Sequence, residues 1–226
     1  MLSSEREINV VVTGGEPDLH LGIDYNTSAM IRDILPSQIL RPGKPAINII
    51  KYPHSTPCIY EWMIDMVDKM LLGDRAVYEG RIPGDDPFQP DLILHMGMTS
   101  FPGFGFETCA RRNGYLEPGQ DGICYPMKML EKGGRWAGLP EKLHTMINMD
   151  DMRDKVLQKL PNVNIKVSEN AGLYFCEFSL WATLAELYLQ GLPAKAAFVH
   201  TPKWETKDAI ETGGKVVEEL IFAIFN

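Results

Sequence analysis

The chain has no run of about 18 apolar residues, the length a bilayer-spanning helix needs, so no membrane span is expected. It is poor in positive charge. Lys and Arg number 22 against 30 Asp and Glu, for a net charge of −8. Nucleic acids and anionic membranes are bound through clustered Lys and Arg, so neither is an expected partner. Cysteine is sparse, with Cys58, Cys109, Cys124 and Cys176 only. None forms a C-x-x-C pair, and no His stands near them at zinc-finger spacing. His20, His54 and His144 show no metal-ligand spacing either, so no metal is expected. The opening residues, Met-Leu-Ser-Ser-Glu-Arg-Glu, lack a basic stretch followed by an apolar one. A reducing, cytoplasmic setting with four free thiols is therefore expected, and the sequon at Asn26 carries no sugar there. Phosphate-binding signatures are missing as well. Thr13-Gly14-Gly15-Glu16-Pro17 has no Walker Lys, Gly103 and Gly105 open no clear helix, and no G-x-S-x-G turn occurs. An organic cofactor is not implied.

What is present suits one globular domain over residues 1–226, with 45% hydrophobic and 23% charged residues. Short apolar runs at Ile8–Thr13, Ala46–Lys51, Asp91–His95, Val163–Val167 and Ala196–His200 predict strands. Helical spacing marks 60–72, 142–160 (in one or two pieces), 173–190 and 206–225, with Gly191 as a C-terminal cap. Gly97 is read as closing its strand, and 101–122 as irregular. Strands alternating with helices predict an α/β fold, a three-layer α/β/α sandwich with a mostly parallel central sheet. Sites in such folds collect at the carboxyl ends of the strands.

Cys176 stands a few residues after a strand, behind Asn170-Ala171-Gly172, at the start of a long helix. Unpaired N–H groups and the positive end of the helix dipole favour a thiolate there. The plain alternative is a small buried hydrophobe between Phe175 and Phe178. His200 ends a strand 24 residues later, on the rim from which the Cys176 turn departs, where it could serve as the base a thiol needs. His95, at another strand end, competes for that role and is read as structural. Glu107, in the Gly-rich stretch after the His95 strand, could orient an imidazole.

Three segments resemble pyroglutamyl peptidase type I, a family of cysteine peptidases. Ser168-Glu-Asn-Ala-Gly-Leu-Tyr-Phe-Cys176 resembles its nucleophile motif, and Ala197-Phe-Val-His-Thr-Pro202 its histidine motif. Glu107-Thr-Cys-Ala-Arg-Arg-Asn-Gly-Tyr115 resembles its acidic motif, and His95-Met96-Gly97 fits a strand end of the family. The resemblance implies a Cys176-His200-Glu107 triad and a thioester formed on an N-terminally blocked peptide substrate. The backbone N–H of Cys176 would stabilise the oxyanion, with Arg112 or Arg111 as a neighbouring positive group. It also leaves room for a homo-oligomer, since relatives occur as monomers and as tetramers. Gly14 and Gly15 occupy the family's ring-gripping turn, but its two aromatic positions read Gly15 and Asp18 here. Phe104 and Phe106, just before Glu107, are the expected replacement wall, with Phe101 nearby. The loop 81–90 is read as a lid or a spacer. A non-catalytic relative that binds a small ligand or partner is the competing reading.

Overall fold

A computed structural model describes residues 6–19, 22–82 and 88–226. His20 and residues 83–87 of the 81–90 loop lie outside the described residues. Among the described residues, nine strands and five α-helices follow one another along the chain. They are β1 Ile8–Val12, α1 Thr27–Ile34, β2 Gln38–Arg41, β3 Lys44–Lys51, α2 Tyr60–Leu71, β4 Leu92–Thr99 and β5 Phe104–Glu107. Then come β6 Cys109–Arg111, β7 Lys142–His144, α3 Met149–Lys159, β8 Ile165–Ser168, α4 Phe175–Leu189, β9 Ala196–Pro202 and α5 Lys207–Ile224. Seven strands form one sheet in the order β2-β3-β1-β4-β9-β5-β8, and β6 pairs with β7 in a separate ribbon. The pairs β3–β1, β1–β4, β4–β9 and β5–β8 are parallel, whereas β2–β3 and β9–β5 run antiparallel.

Side chains alternate across a strand, and that alternation sorts the core into two halves. Val11, Ile50, Ile93 and Phe198 join α2, α4 and the β6–β7 ribbon on one face. Val10, Val12, Leu94, Phe104, Phe106 and Val199 join α1, α3 and α5 on the other. The result is the expected α/β/α layering. Helix α4 is buried nearly all round, as its largely apolar sequence leads one to expect, and its buried polar residues, Glu177 and Glu186 among them, find partners. None of the described helices is long and apolar enough to cross a membrane.

The differences from the sequence reading are local. Residues 101–122 hold β5 and β6, two short strands whose Gly and Pro surroundings hid them. Gly97 lies inside β4 rather than closing it, opposite His200 in β9. Lys142–His144 is a strand against β6, so the helix begins only at Met149, where the Asn148 side chain caps the Asp151 N–H. The β2–β3 hairpin turns through Gly43 at φ +73°, a left-handed position that favours glycine.

Gly14 follows β1 and sits directly against α1. A Cβ there would lie 2.7 Å from the Ala29 Cα and 2.8 Å from the Ser28 carbonyl oxygen. Its own carbonyl accepts the Thr56 N–H at 2.8 Å. This glycine thus sets the approach of α1 to the sheet. Gly14→Ala should lower the unfolding free energy by about 1–3 kcal/mol, because backbone must move to admit one methyl. Urea unfolding at constant slope measures it, and a variant as stable as the parent would contradict this packing.

Candidate active site

The turn before α4 is built from side chains that bond their own backbone. Asn170 Oδ1 accepts the Gly172 N–H at 3.2 Å, and Gly172 takes φ +77°. Tyr174 is extended and caps the helix, and Cys176 is its second residue. Phe178 is the first to bond back, to the Tyr174 carbonyl. The N–H groups of Phe175, Cys176 and Glu177 therefore precede the first intrahelical bond. Phe175 and Phe178 pack on Tyr60, with ring centroids 4.6 and 4.8 Å away. Those rings anchor the helix start, while Cys176 between them is only partly buried. Glu177, fully buried, accepts the Arg111 backbone N–H at 2.9 Å and the guanidinium at 2.6 Å. This ties β6 to the helix turn that carries Cys176.

His200 lies on the α4 face of β9. Its neighbours in register are Gly97 on β4 and Gly105 on β5. Both glycines are required by space. A Cβ on Gly97 would lie 2.9 Å from the Cys176 sulfur, and one on Gly105 would lie 3.2 Å from Glu107 Oε1 and 3.3 Å from the His200 Cβ. Two residues beyond Gly105, Glu107 returns to the same face, and its Oε1 meets His200 Nδ1 at 2.8 Å. Glu107 is 1% exposed and His200 8%. Burial pulls the His200 pKa down, but the charge and hydrogen bond of Cys176, then the bond to Glu107, outweigh it and push it up to about 10. Thiol, imidazole and carboxylate thus stand in one chain, able to hold a thiolate beside an imidazolium and to pass a proton between sulfur and ring.

The thiol opens on a pocket of about 120 Å³. Its apolar wall is Ile23, Met63, Met96, Met98, Phe175 and Phe198, and Gly15, Glu16 and Asp18 form another side. Gln120 braces that side, donating to the Pro17 carbonyl at 3.0 Å and accepting the Cys58 N–H at 2.7 Å.

Not every expected residue meets here. Gly15 lines the pocket, whereas Gly14 is the packing residue described above. Phe104 and Phe106 are 2% and 0% exposed in the opposite half of the core. They alternate with Gly105 and Glu107, so they cannot face the same side, and the apolar wall comes from α2, β4, α4 and β9 instead. Phe101 lies under the Lys166 ammonium, 4.3 Å from the ring centre. Arg112 is turned away, donating from its side chain to the Leu139 carbonyl, and Arg111 is held by Glu177. His95 is fully buried between Thr13 and Thr183 hydroxyls, each at 2.8 Å. Burial pulls its pKa down to about 3, so it is a neutral core residue. Sequence reading missed Phe198, whose ring edge meets His200 with centroids 4.9 Å apart. The period of two from His200 was the available signal. It also missed Glu177, the acidic residue directly after the cysteine.

No family model matches the chain. Human pyroglutamyl-peptidase 1 is 25% identical over 155 residues, covering 62% of this chain and 68% of that protein. The mouse protein of the same name is 27% identical over the same coverage. Among solved structures, a single-residue variant of pyrrolidone carboxyl peptidase from Pyrococcus furiosus has a TM-score of 0.71 at 18% identity, covering 96% of this chain and 98% of that one. Pyrrolidone carboxyl peptidase from Thermococcus litoralis has a TM-score of 0.71 at 17% identity, covering 96% and 93%. The chain is thus similar in sequence to pyroglutamyl-peptidase 1 and in fold to the pyrrolidone carboxyl peptidases.

Proposed function

We propose that the chain is a cysteine omega-peptidase that removes an N-terminal pyroglutamyl residue from peptides, with Cys176, His200 and Glu107 as its triad. The observation that carries the proposal is the Cys176–His200–Glu107 chain at the mouth of a pocket with room for one small ring. Residues 1–226 act as one domain, and the cytoplasm, which keeps a nucleophilic thiol reduced, is its setting.

The Cys176 thiolate attacks the carbonyl carbon of the first peptide bond. The oxyanion so formed is stabilised by backbone N–H groups at the start of α4, that of Cys176 first. His200, carrying the proton, delivers it to the leaving amine as the C–N bond breaks. A thioester remains on Cys176. His200, now neutral, takes a proton from water as the water adds to the thioester, and the Cys176–acyl bond breaks to release the pyroglutamate and restore the thiolate. Glu107 holds the Nδ1 side of the ring and so leaves Nε2 toward the thiol.

Wild-type protein should hydrolyse a fluorogenic pyroglutamyl amide, and Cys176→Ala should abolish turnover. Iodoacetamide should modify Cys176 far faster than Cys58, Cys109 or Cys124 near neutral pH, with substrate protecting it. Folded wild type without turnover, and uniformly slow labelling, would point to a non-catalytic binding protein.

Glu107→Gln should reduce kcat/KM by roughly 100-fold or more. It should also move the alkaline limb of the pH–rate profile to lower pH, since the carboxylate is one of the groups that raise His200. The linkage has the same sign. His200 is raised above the ordinary value of 6.5, so its pairing stabilises the fold fully below that value. The contribution is lost as pH rises through the raised pKa. An unmoved alkaline limb in a folded variant would refute the role given to Glu107.

A further inference from the structure

Two of the four thiols face one cavity. Cys58 and Cys176 both line the pocket of about 120 Å³, and both are half-buried, whereas Cys109 is buried on β6 and Cys124 is exposed. The fold brings the pair together through two helix starts. Cys58 stands two residues before Tyr60, the first residue of α2, and Cys176 is the second residue of α4. The Tyr60 and Phe175 rings, with centroids 4.6 Å apart, hold those starts side by side. The Tyr174 side chain, two residues before Cys176, reaches the Cys58 thiol. Cys58 itself lies outside every strand and helix. Its N–H and carbonyl are taken up by Gln120, at 2.7 and 2.8 Å, so a small shift of Cys58 toward the pocket breaks no sheet or helix bond. The two thiols differ in protonation. Cys176 is the one that His200 can deprotonate. Burial, then the charges of Cys176, Asp18 and Glu16, push the Cys58 thiol up, so it keeps its proton. A thiolate is the form that attacks a peroxide, and a sulfenic acid formed beside a second thiol condenses with it to a disulfide.

We propose that Cys58 is a resolving thiol for Cys176, and that the two form a reversible disulfide when the protein meets a hydroperoxide. The inference rests on the peptidase reading only in taking Cys176 as the reactive thiol. The Cys176 thiolate attacks one peroxide oxygen, the O–O bond breaks, and the His200 imidazolium gives its proton to the departing oxygen, which leaves as water. Cys176 is now a sulfenic acid and His200 is neutral. The negative charge that helped to keep Cys58 protonated is gone. The Cys58 sulfur attacks the Cys176 sulfur, the S–O bond breaks, and the hydroxyl leaves with the Cys58 proton as a second water. Both sulfurs are oxidised by one electron each relative to their thiols, and the peroxide is reduced by two. The disulfide withdraws the nucleophile from the pocket, and a dithiol restores both thiols by exchange.

The test treats reduced wild-type protein with one equivalent of hydrogen peroxide, blocks the remaining thiols and maps the peptides without reduction. The expected product joins the Cys58 peptide to the Cys176 peptide, lighter than their sum by two hydrogen atoms, with Cys109 and Cys124 still free. Dithiothreitol should return both thiols, and turnover with them. In Cys58→Ser the same peroxide should carry Cys176 on to the sulfinic acid, and the fraction of turnover that dithiothreitol recovers should fall roughly 10-fold. That fraction is taken within each protein, so a variant of altered basal turnover still reports it, and the wild-type peptide map needs no variant. Cys176 left unmodified, carried to the sulfinic acid with Cys58 free, or joined to another thiol overturns the pairing and leaves the peptidase reading intact. A joined Cys58–Cys176 peptide from protein that hydrolyses no pyroglutamyl amide upholds the pairing and overturns the peptidase reading.

Discussion

The buried hydrogen bond between Glu107 and His200 is the constraint around which the site is organised. A carboxylate and an imidazole removed from water are tolerated only when paired in good geometry. Here the pairing depends on register. Glu107 reaches the ring because β5 runs antiparallel to β9 with Gly105 opposite His200, and because neither Gly105 nor Gly97 fills the space beside the ring. One residue of slip in β5 would send Glu107 to the other face of the sheet and bring Phe106 to the imidazole.

The two faces of the sheet divide the work. The α1, α3 and α5 face is an apolar core that takes Phe104 and Phe106. The α4 face combines packing with polar anchors. Glu177 fastens the first turn of α4 to Arg111, and Glu186, about two and a half turns along, accepts Trp136 Nε1 at 2.8 Å and Arg135 at 2.5 Å. These buried carboxylates have their charges matched, and they hold the helix that carries Cys176 against the β6–β7 side of the molecule. His95 belongs to the same face but sits deeper, where burial keeps it neutral. Two strand histidines of similar appearance in the sequence thus acquire opposite protonation, one because burial acts on it unopposed and the other because charged partners outweigh burial.

The pocket beside Cys176 follows from the same arrangement. Strand ends of β4 and β9, the first turn of α4 and the side of α2 supply Met96, Met98, Phe198, Phe175 and Met63. The turn after β1 supplies Gly15, Glu16 and Asp18. On the proposed reading, the triad and the carboxyl-bearing side of the pocket come from different parts of the chain.

Much of this was legible in the sequence. The apolar runs of β1, β4 and β9 marked central strands because buried parallel strands need no polar alternation. The Asn-Ala-Gly turn before Cys176 and the strand end at His200 put thiol and imidazole on one rim. Glu107 was picked out within a segment read as irregular, because β5 is four residues long and its glycines obscure a period of two. The face that each residue of β5 presents was decided only by its pairing with β8 and β9, and that sent the two phenylalanines away from the pocket and Glu107 into it. The destinations of Arg111, Arg112 and Asp18 were settled the same way, by partners distant in sequence. Local pattern determines which residues form a strand or open a helix, since that depends on near neighbours. Long-range pairing determines which charge meets which, since buried groups must find partners wherever the packed chain puts them.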